Sequence, residues 1–336
     1  MSAHFQARDM AEDQIADLDQ QLLRRQLRTT ESPCDIKTRV NQRELKTFCS
    51  NDYLGLANHP ELVTMLAEGA RLYGVGSGAS HLISGHSIAH DLLEKKLAAC
   101  GSRHIPNARA LFFSTGYLAN ISAITGLARL AQQGEVSIYS AKLNHASLID
   151  GVRLASAQTK AKVTLFDHQE LGSLEELLKQ DVHPLKLIVV DGVFSMDGDI
   201  APVEKLLRMA EQYDALLMVD DAHGFGVLGE QGHGILEQAD VNSERIIYVG
   251  TLGKAAGVSG AFICAAAPFI EWLIQKGRPY IYSTATPPAI AHTLLKSLDL
   301  IEGNEGIARR KQLNQLIQVW NEEMMFSSWG KVSSLT

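Results

Sequence analysis

Cysteine is scarce in this chain, and its few cysteines follow no recurring spacing. Four cysteines are scattered over 336 residues, without a CxxC pair and without the cysteine–histidine spacing of a zinc module. We therefore predict neither a disulfide framework nor a metal site. Scattered thiols in a chain of this length favour a reduced, intracellular compartment.

Excess basic charge and long apolar runs are also missing. The 31 Lys and Arg residues are outnumbered by 38 Asp and Glu residues, which argues against nucleic acid or an anionic membrane as a partner. The N-terminus has neither the apolar core of a signal peptide nor the Arg/Ser-rich character of a transit peptide. The longest run of small apolar residues, Gly260–Ala267, is too short to span a bilayer. A soluble cytoplasmic protein is predicted.

Three familiar phosphate-binding or hydrolase motifs are absent. The glycines of GVGSG at 74–78 do not have GxGxxG spacing and follow a predicted helix, so a nicotinamide-binding fold is not predicted. There is no GxxxxGK[ST] phosphate loop, and there is no GxSxG nucleophile turn.

What the sequence does contain, from residue 84 onward, is an alternation of helical patterns with short apolar runs bounded by Gly, Asp, Ser or Asn. This alternation predicts an α/β fold with a mostly parallel sheet and helices on both faces. Ligands of such sheets bind at the carboxyl ends of the strands. The runs are Ala110–Phe113, Val136–Tyr139, Val163–Phe166, Leu187–Val190, Leu216–Val219, Ile246–Val249 and Ala261–Cys264.

The N-terminal part has a different pattern. Residues 1–30 read as a helix with charges on several faces, and Thr29–Val40 read as a loop. Pro60 suits the first turn of a further helix. At roughly 150 residues per domain, the length predicts about two domains.

Polar residues follow five of the apolar runs, where a ligand is expected. An aldehyde cofactor such as pyridoxal phosphate (PLP) needs an amine, a carboxylate for its pyridine nitrogen and donors for its phosphate. Lys254 could supply the amine, Asp220 the carboxylate, and His223 a partner for the phenolic oxygen. Taken singly, these residues also fit a solvated lysine, a turn cap and a buried histidine bonded to backbone.

The phosphate and the ring also have candidates. Thr251, and the backbone amides of Gly116 and Tyr117 at the start of a predicted helix over Leu118–Ala131, could bind the phosphate. His145 could stack on the ring. The alternatives are an ordinary strand-to-helix turn and a helix-start residue.

Seven segments in order resemble the α-oxoamine synthases, which are PLP enzymes of fold type I with a mostly parallel central sheet. The likeness runs from about residue 20 to about residue 320. The segments are SNDYLGLANHPEL (50–62), GSGASHLISGHSIAHDLLEKKLA (76–98), NHASLIDG (144–151), DGVFSMDGDIAPV (191–203), VDDAHGFGVLGEQGHG (219–234), TLGKAAGVSGA (251–261) and IYSTATPP (281–288).

The resemblance implies a role for each matching residue. Lys254 corresponds to the lysine that forms a Schiff base with PLP, Asp220 to the partner of the pyridine nitrogen, and His145 to the histidine stacked on the ring. These three are the catalytic candidates. The other implied cofactor-binding residues are Gly116, Tyr117, Ser195, His223 and Thr251.

The resemblance also implies substrates and a subunit arrangement. Arg25, which lies beside Arg24, Asn51 and His145 correspond to substrate-binding positions. The implied reaction condenses L-alanine with a pimeloyl thioester, on a carrier protein or coenzyme A, with loss of carbon dioxide, as a step of biotin biosynthesis. A sister reaction of glycine with acetyl-coenzyme A is the alternative. A homodimer is implied.

Domain boundaries follow from the same likeness. We predict an N-terminal helix and arm over 1–55, a large PLP-binding domain over 56–302, and the start of a small C-terminal domain over 303–336. Members of the family continue through that small domain, which carries an arginine for the substrate carboxylate. The sequence therefore predicts an incomplete small domain, and a truncated, catalytically impaired PLP-binding subunit stays open as a further alternative.

Overall fold

A computed structural model describes residues 6–324, and it divides into two compact units at Cys49 and Ser50. Residues 325–336, in the last predicted domain segment, lie outside the described residues. The boundaries at 55 and 303 stay predictions. No helix of the described range is both long and apolar enough to cross a membrane.

The first unit contains helix α1 (Gln6–Gln20) and a hairpin of strands β1 (Lys37–Val40) and β2 (Arg43–Lys46). The prediction of a helix over residues 1–30 was wrong in length. The chain stops being helical at Leu22, whose φ is 57°, and the amide of Leu23 donates to the carbonyl of Leu18. This left-handed stop is a common helix end.

The hairpin was not predicted either, since Thr29–Val40 read as a loop. Asn41 and Gln42 connect the two strands, and both have positive φ. A two-residue turn with positive φ at both positions matches the twist of the strands that it joins. Four residues per strand are too few to give a clear alternating pattern in the sequence.

The second unit is built on one seven-stranded sheet, and all seven predicted runs lie in its strands. Their order across the sheet is β3-β9-β8-β7-β6-β4-β5, and all pairings are parallel except those of β9, which is antiparallel to both neighbours. The predicted mostly parallel α/β fold is thus confirmed. The strands are β3 (Ala108–Phe113), β4 (Val136–Ala141), β5 (Lys162–Phe166), β6 (Leu185–Asp191), β7 (Leu216–Asp220), β8 (Ile246–Thr251) and β9 (Ala261–Ala266).

Helices cover the sheet. The helix predicted from Leu118 to Ala131 begins earlier, at Gly116, and ends at Leu127, where three-residue turns replace the helical bonds. A π-helical turn over His81–Gly85 precedes α3. The helices are α2 (Pro60–Tyr73), α3 (Ile88–Gly101), α4 (Gly116–Leu127), α5 (Ala146–Thr159), α6 (Leu171–Gln180), α7 (Val203–Gln212), α8 (Ile235–Gln238), α9 (Ala267–Lys276), α10 (Arg278–Tyr282), α11 (Pro288–Glu302) and α12 (Asn304–Met324).

Alternate residues of a strand point to opposite faces of the sheet, and helices cover both faces. In β6, Ile188 and Val190 join the core beneath α2, α3, α6, α7 and α11, whereas Leu187 and Val189 join the core beneath α4, α5, α9 and α10. Strands with apolar side chains on both faces read as continuous runs, and for that reason the sequence revealed them.

One edge of this sheet collects the carboxyl ends of six strands. The strands β4, β5, β6, β7 and β8 run in the same direction. Strand β9 is antiparallel to both β8 and β3, so β3 runs in the same direction as β8. The last residues of these two strands, Phe113 and Thr251, both pair with Ala261. The polar residues after these strands are therefore brought to a common edge.

Leucine side chains on α3 test the packing of this core. Leu93 is completely buried, whereas the adjacent Leu92 is 45% exposed. We expect Leu93→Ala to lower the free energy of unfolding by about 2–5 kcal/mol, because it removes buried methyl groups and leaves a cavity. Urea denaturation followed by circular dichroism measures the change, with Leu92→Ala as the matched control. Equal effects of the two substitutions would contradict the predicted packing.

Candidate active site

A cavity of about 180 Å³ lies at the carboxyl edge of the sheet. The eight residues predicted to bind the cofactor all line it, although they come from five separate segments of the chain. Four further residues complete the lining. The lining residues are Gly116, Tyr117, Asn120, His145, Ser147, Asp191, Ser195, Asp220, Ala222, His223, Thr251 and Lys254.

Lys254 lies in the connection between β8 and β9 and takes part in a chain of hydrogen bonds. Its Nζ is 2.7 Å from Nε2 of His223, and Nδ1 of His223 is 2.6 Å from the hydroxyl of Tyr53. Burial lowers the pKa of Lys254, although the carboxylates of Asp220 and Asp191 oppose that change. Burial, together with the neighbouring Lys254 and His145 side chains, lowers the pKa of His223 to about 4.

The position of Lys254 depends on a close approach of two backbone segments. Gly257 has a φ of 68°, and a Cβ atom there would lie 2.5 Å from the carbonyl carbon of Leu56. Only glycine fits such a position comfortably. The amide of Gly257 donates to the carbonyl of Lys254, which closes the turn that carries the lysine.

Asp220 ends β7 and lies opposite Asp191, the last residue of β6. Its Oδ2 accepts a hydrogen bond of 2.5 Å from Asn120, and its Oδ1 accepts one of 3.0 Å from the amide of Ala222. Burial raises the pKa of Asp220, and burial and the neighbouring Asp220 carboxylate raise the pKa of Asp191. Two adjacent buried carboxyl groups favour a cation in the cavity.

His145 caps the start of α5 and is held from two sides. Its backbone amide donates to Oδ2 of Asp191 at 2.6 Å, and its Nδ1 accepts from the amide of Ser147 at 3.2 Å. Since Nδ1 and the main chain are both engaged, the ring has a defined orientation at the cavity wall. The Ser147 hydroxyl accepts a hydrogen bond of 2.8 Å from the side-chain amide of Asn120. Because Asn120 also donates to Asp220, this bond connects His145 to Asp220.

The start of α4 forms the other end of the cavity. Gly116 is the first residue of this helix, and a Cβ atom there would lie 3.9 Å from Oγ1 of Thr251. Thr115 caps the helix through its hydroxyl. The amides of a helix start and a nearby hydroxyl are donors suited to a phosphate.

The residues of the cavity fit PLP. Buried carboxyl groups face a cavity that also holds an amine, and the buried Oδ1 atom of Asn120, which lines it, has no partner in the described structure. A cationic ring nitrogen would relieve the carboxylates, and an added polar group could pair with the orphaned oxygen. The helix start supplies the phosphate donors.

Of the two other predicted substrate-binding residues, Asn51 belongs to the second unit and does not line the cavity. Asn51 is exposed, and its Oδ1 lies 3.3 Å from the hydroxyl of Tyr53. Arg25 is an exposed residue of the first unit, after the end of α1. Their roles stay predictions.

Sequence reasoning missed four lining residues and Tyr53. Asp191 had a signal, since it directly follows an apolar run. Asn120 and Ser147 lie inside helices and are not distinguished by spacing or composition. Tyr53 lies within the quoted SNDYLGL segment, but only the structure places its hydroxyl against His223.

Comparison with known proteins agrees with this geometry. The aminotransferase class I and II family profile matches residues 43–330. The 8-amino-7-oxononanoate synthase of Janthinobacterium sp. (strain Marseille) is 51% identical over 97% of this chain and 80% of that protein. The 8-amino-7-oxononanoate synthase of Polaromonas naphthalenivorans (strain CJ2) is 56% identical over 92% of this chain and 75% of that protein.

Solved structures give the same assignment. Serine palmitoyltransferase of Sphingomonas wittichii has a TM-score of 0.83 at 25% identity, covering 98% of this chain and 80% of that one. An 8-amino-7-oxononanoate synthase from Francisella tularensis has a TM-score of 0.71 at 32% identity, covering 85% of this chain and 77% of that one. The chain therefore belongs to the aminotransferase class I and II family, in its group of 8-amino-7-oxononanoate synthases.

Proposed function

We propose that this chain is a PLP-dependent acyltransferase of biotin biosynthesis. It joins the α-carbon of L-alanine to the carbonyl carbon of a pimeloyl thioester, on a carrier protein or coenzyme A. The alanine carboxylate leaves as carbon dioxide, the thiol is released, and the product is 8-amino-7-oxononanoate. The observation that carries this proposal is the cavity in which the amine of Lys254 and the buried carboxyl of Asp220 both take part.

PLP would be held by Lys254, by the Asp220 carboxylate, and by donors at Gly116, Tyr117 and Thr251. When bound, PLP supplies an electron sink that makes the α-hydrogen of an amino acid acidic. Serine palmitoyltransferase of S. paucimobilis, which has a TM-score of 0.84 at 25% identity over 97% of this chain and 80% of that one, has been solved with bound PLP–myriocin. PLP as the cofactor is therefore supported by the site and by a solved relative.

Lys254 is suited to move a proton at Nζ. Burial lowers its pKa, and a lowered pKa increases the neutral fraction that reacts with an aldehyde or accepts a proton. A neutral imidazole has one donor and one acceptor nitrogen. A charged Lys254 therefore requires Nε2 of His223 to accept and Nδ1–H to donate to Tyr53, whereas a neutral Lys254 also permits the reverse direction.

Asp220 is suited to hold a proton on a ring nitrogen. The side chain of Asn120 and the amide of Ala222 keep its carboxylate oriented, and its burial makes an unpaired negative charge costly. A protonated ring nitrogen removes that cost and is stabilised in return. His145 would cover the ring, and its attachment to Asp191 fixes its position.

The remaining proposals concern substrate contacts and the subunit arrangement. We propose that Asn51 and Arg25 contact substrate, as the family resemblance implies, and that the enzyme acts as a cytoplasmic homodimer. Exposed apolar side chains on α2 and the following segment, among them Val63, Leu72, Val75 and Ile83, support a subunit interface there.

The first prediction concerns Lys254. We expect Lys254→Ala to abolish the visible absorbance of the covalently held cofactor and to lower activity by at least about 10³-fold, because the amine both binds the aldehyde and carries the proton. Thiol release from pimeloyl-coenzyme A with L-alanine measures the activity. Lys276→Ala, at an exposed lysine on α9, is the control.

The same assay separates the sister reaction. Glycine with acetyl-coenzyme A is run beside L-alanine with pimeloyl-coenzyme A. Higher activity with glycine would replace the proposed substrate pair, and PLP binding without thiol release from either pair would support an impaired subunit. Retention of both absorbance and activity by Lys254→Ala would refute the role of the lysine.

The second prediction concerns Asp220. We expect Asp220→Asn to retain bound PLP while turnover falls by about 10²- to 10⁴-fold, because an amide of the same shape cannot stabilise a protonated ring nitrogen. Steady-state kinetics and the cofactor spectrum measure the two effects. Asp214→Asn, at the exposed partner of Arg245, should leave turnover unchanged. Unchanged turnover in Asp220→Asn would rule out this role.

The third prediction concerns His223. Burial and the neighbouring Lys254 and His145 side chains lower its pKa to about 4, so the ring should stay neutral from pH 8 down to about pH 5 in the cofactor-free protein. Histidine ring NMR with selective labelling measures the titration, and His223→Gln assigns the resonance by its loss. A midpoint near the ordinary 6.5 would contradict the burial of the ring.

A further inference from the structure

Three histidines meet at a place that the cofactor cavity does not include. His81 begins the π-helical turn, His86 directly follows it, and His90 lies in the first turn of α3. One ring nitrogen of each lies within 4.8 Å of those of the other two. π-Helical turns are rare and are frequent at functional sites.

Two ring nitrogens that face each other in this cluster have a spacing that suits a shared ion. Nδ1 of His81 and Nδ1 of His86 are 3.0 Å apart. Two imidazole nitrogens bound to Zn²⁺ at about 2.0–2.1 Å lie roughly 3–3.4 Å from each other. The ring of His90 completes the group, with its centroid 5.0 Å from that of His81 and 5.5 Å from that of His86.

The Nε2 atoms of His90 and His86 are directed towards oxygen atoms. Nε2 of His90 lies 2.8 Å from the carbonyl oxygen of Thr286, and Nε2 of His86 lies 3.9 Å from Oε2 of Glu94. Histidines that bind metals usually donate their second N–H to a carbonyl or a carboxylate, which directs the other nitrogen towards the ion. Nδ1 of His86 lies against Nδ1 of His81, and Nδ1 of His90 is the ring nitrogen that does not contact Thr286.

The contacts of Nδ1 in His90 show what an ion would displace. This nitrogen accepts from the amide of Ser87 at 3.0 Å and lies 3.1 Å from the Ser87 hydroxyl. Ser87 is the N-cap residue of α3, and it forms a capping box with His90. Entry of an ion would displace the Ser87 amide and hydroxyl from Nδ1 of His90.

The chemistry of the rings is that of metal ligands. Burial lowers the pKa of all three histidines, and neutral imidazole is the form that ligates metals.

We propose that His81, His86 and His90 bind one late first-row divalent metal ion, with Zn²⁺ the best match for three imidazoles. The ion fastens the π-helical turn to the start of α3. The site is separate from the cofactor cavity, and the proposal does not depend on the proposed function.

Equilibrium dialysis of the PLP-loaded protein against Zn²⁺, followed by metal analysis, tests the site. We expect one equivalent that the double variant His81→Gln/His86→Gln does not bind, and a loss of affinity of at least about 10-fold in each single variant. His183→Gln, at a histidine paired with Asp181, is the matched control and should bind like the wild type. The cofactor absorbance checks that every variant is folded.

Two further readouts separate a metal site from a plain histidine pair. Zn²⁺ should raise the melting temperature of the wild type and leave that of the double variant unchanged. Glu94→Gln should weaken binding by about 10- to 100-fold without abolishing it. If wild type and double variant take up equal amounts of Zn²⁺, or if His183→Gln loses as much as the double variant, the proposal is overturned.

Discussion

Two carboxyl groups buried side by side at the ends of β6 and β7 set the conditions for the rest of this site. Asp191 and Asp220 are each 5% exposed or less. Buried charge is costly unless it is paired and hydrogen-bonded. The amide of His145, the side chain of Asn120 and the amine of Lys254 each offset part of that cost, and the remaining part favours a cation in the cavity.

The sheet could be predicted from sequence because its strands, apart from the edge strand β5, are buried on both faces. Runs such as Leu187–Val190 have no polar face to break them, and Asp191 marks the point where the run reaches the edge. The helix predicted over residues 1–30 failed because a left-handed residue at Leu22 ends it, and leucine gives no such signal. The β1–β2 hairpin failed because both strands are short and largely exposed.

The site residues also fall into a group that the sequence predicted and a group that it did not. Asp220 ends β7, and His223 and Lys254 each lie three residues after a strand, so the position of each strand end predicted where they lie. Asn120 is 100 residues from the carboxylate that it orients, and Tyr53 is 170 residues from the histidine that it contacts. Such partners depend on how α4 and the segment before α2 pack, and no local pattern encodes that packing.

The antiparallel strand β9 has a consequence for the amine of the site. Residues 252–260 connect β8 to β9, and Lys254 lies in this connection. The two residues that flank it, Thr251 and Ala261, pair with each other in the antiparallel ladder. Strand register therefore helps to set the position of the amine relative to Asp220. One residue added to this bend would move the amine away from that carboxylate.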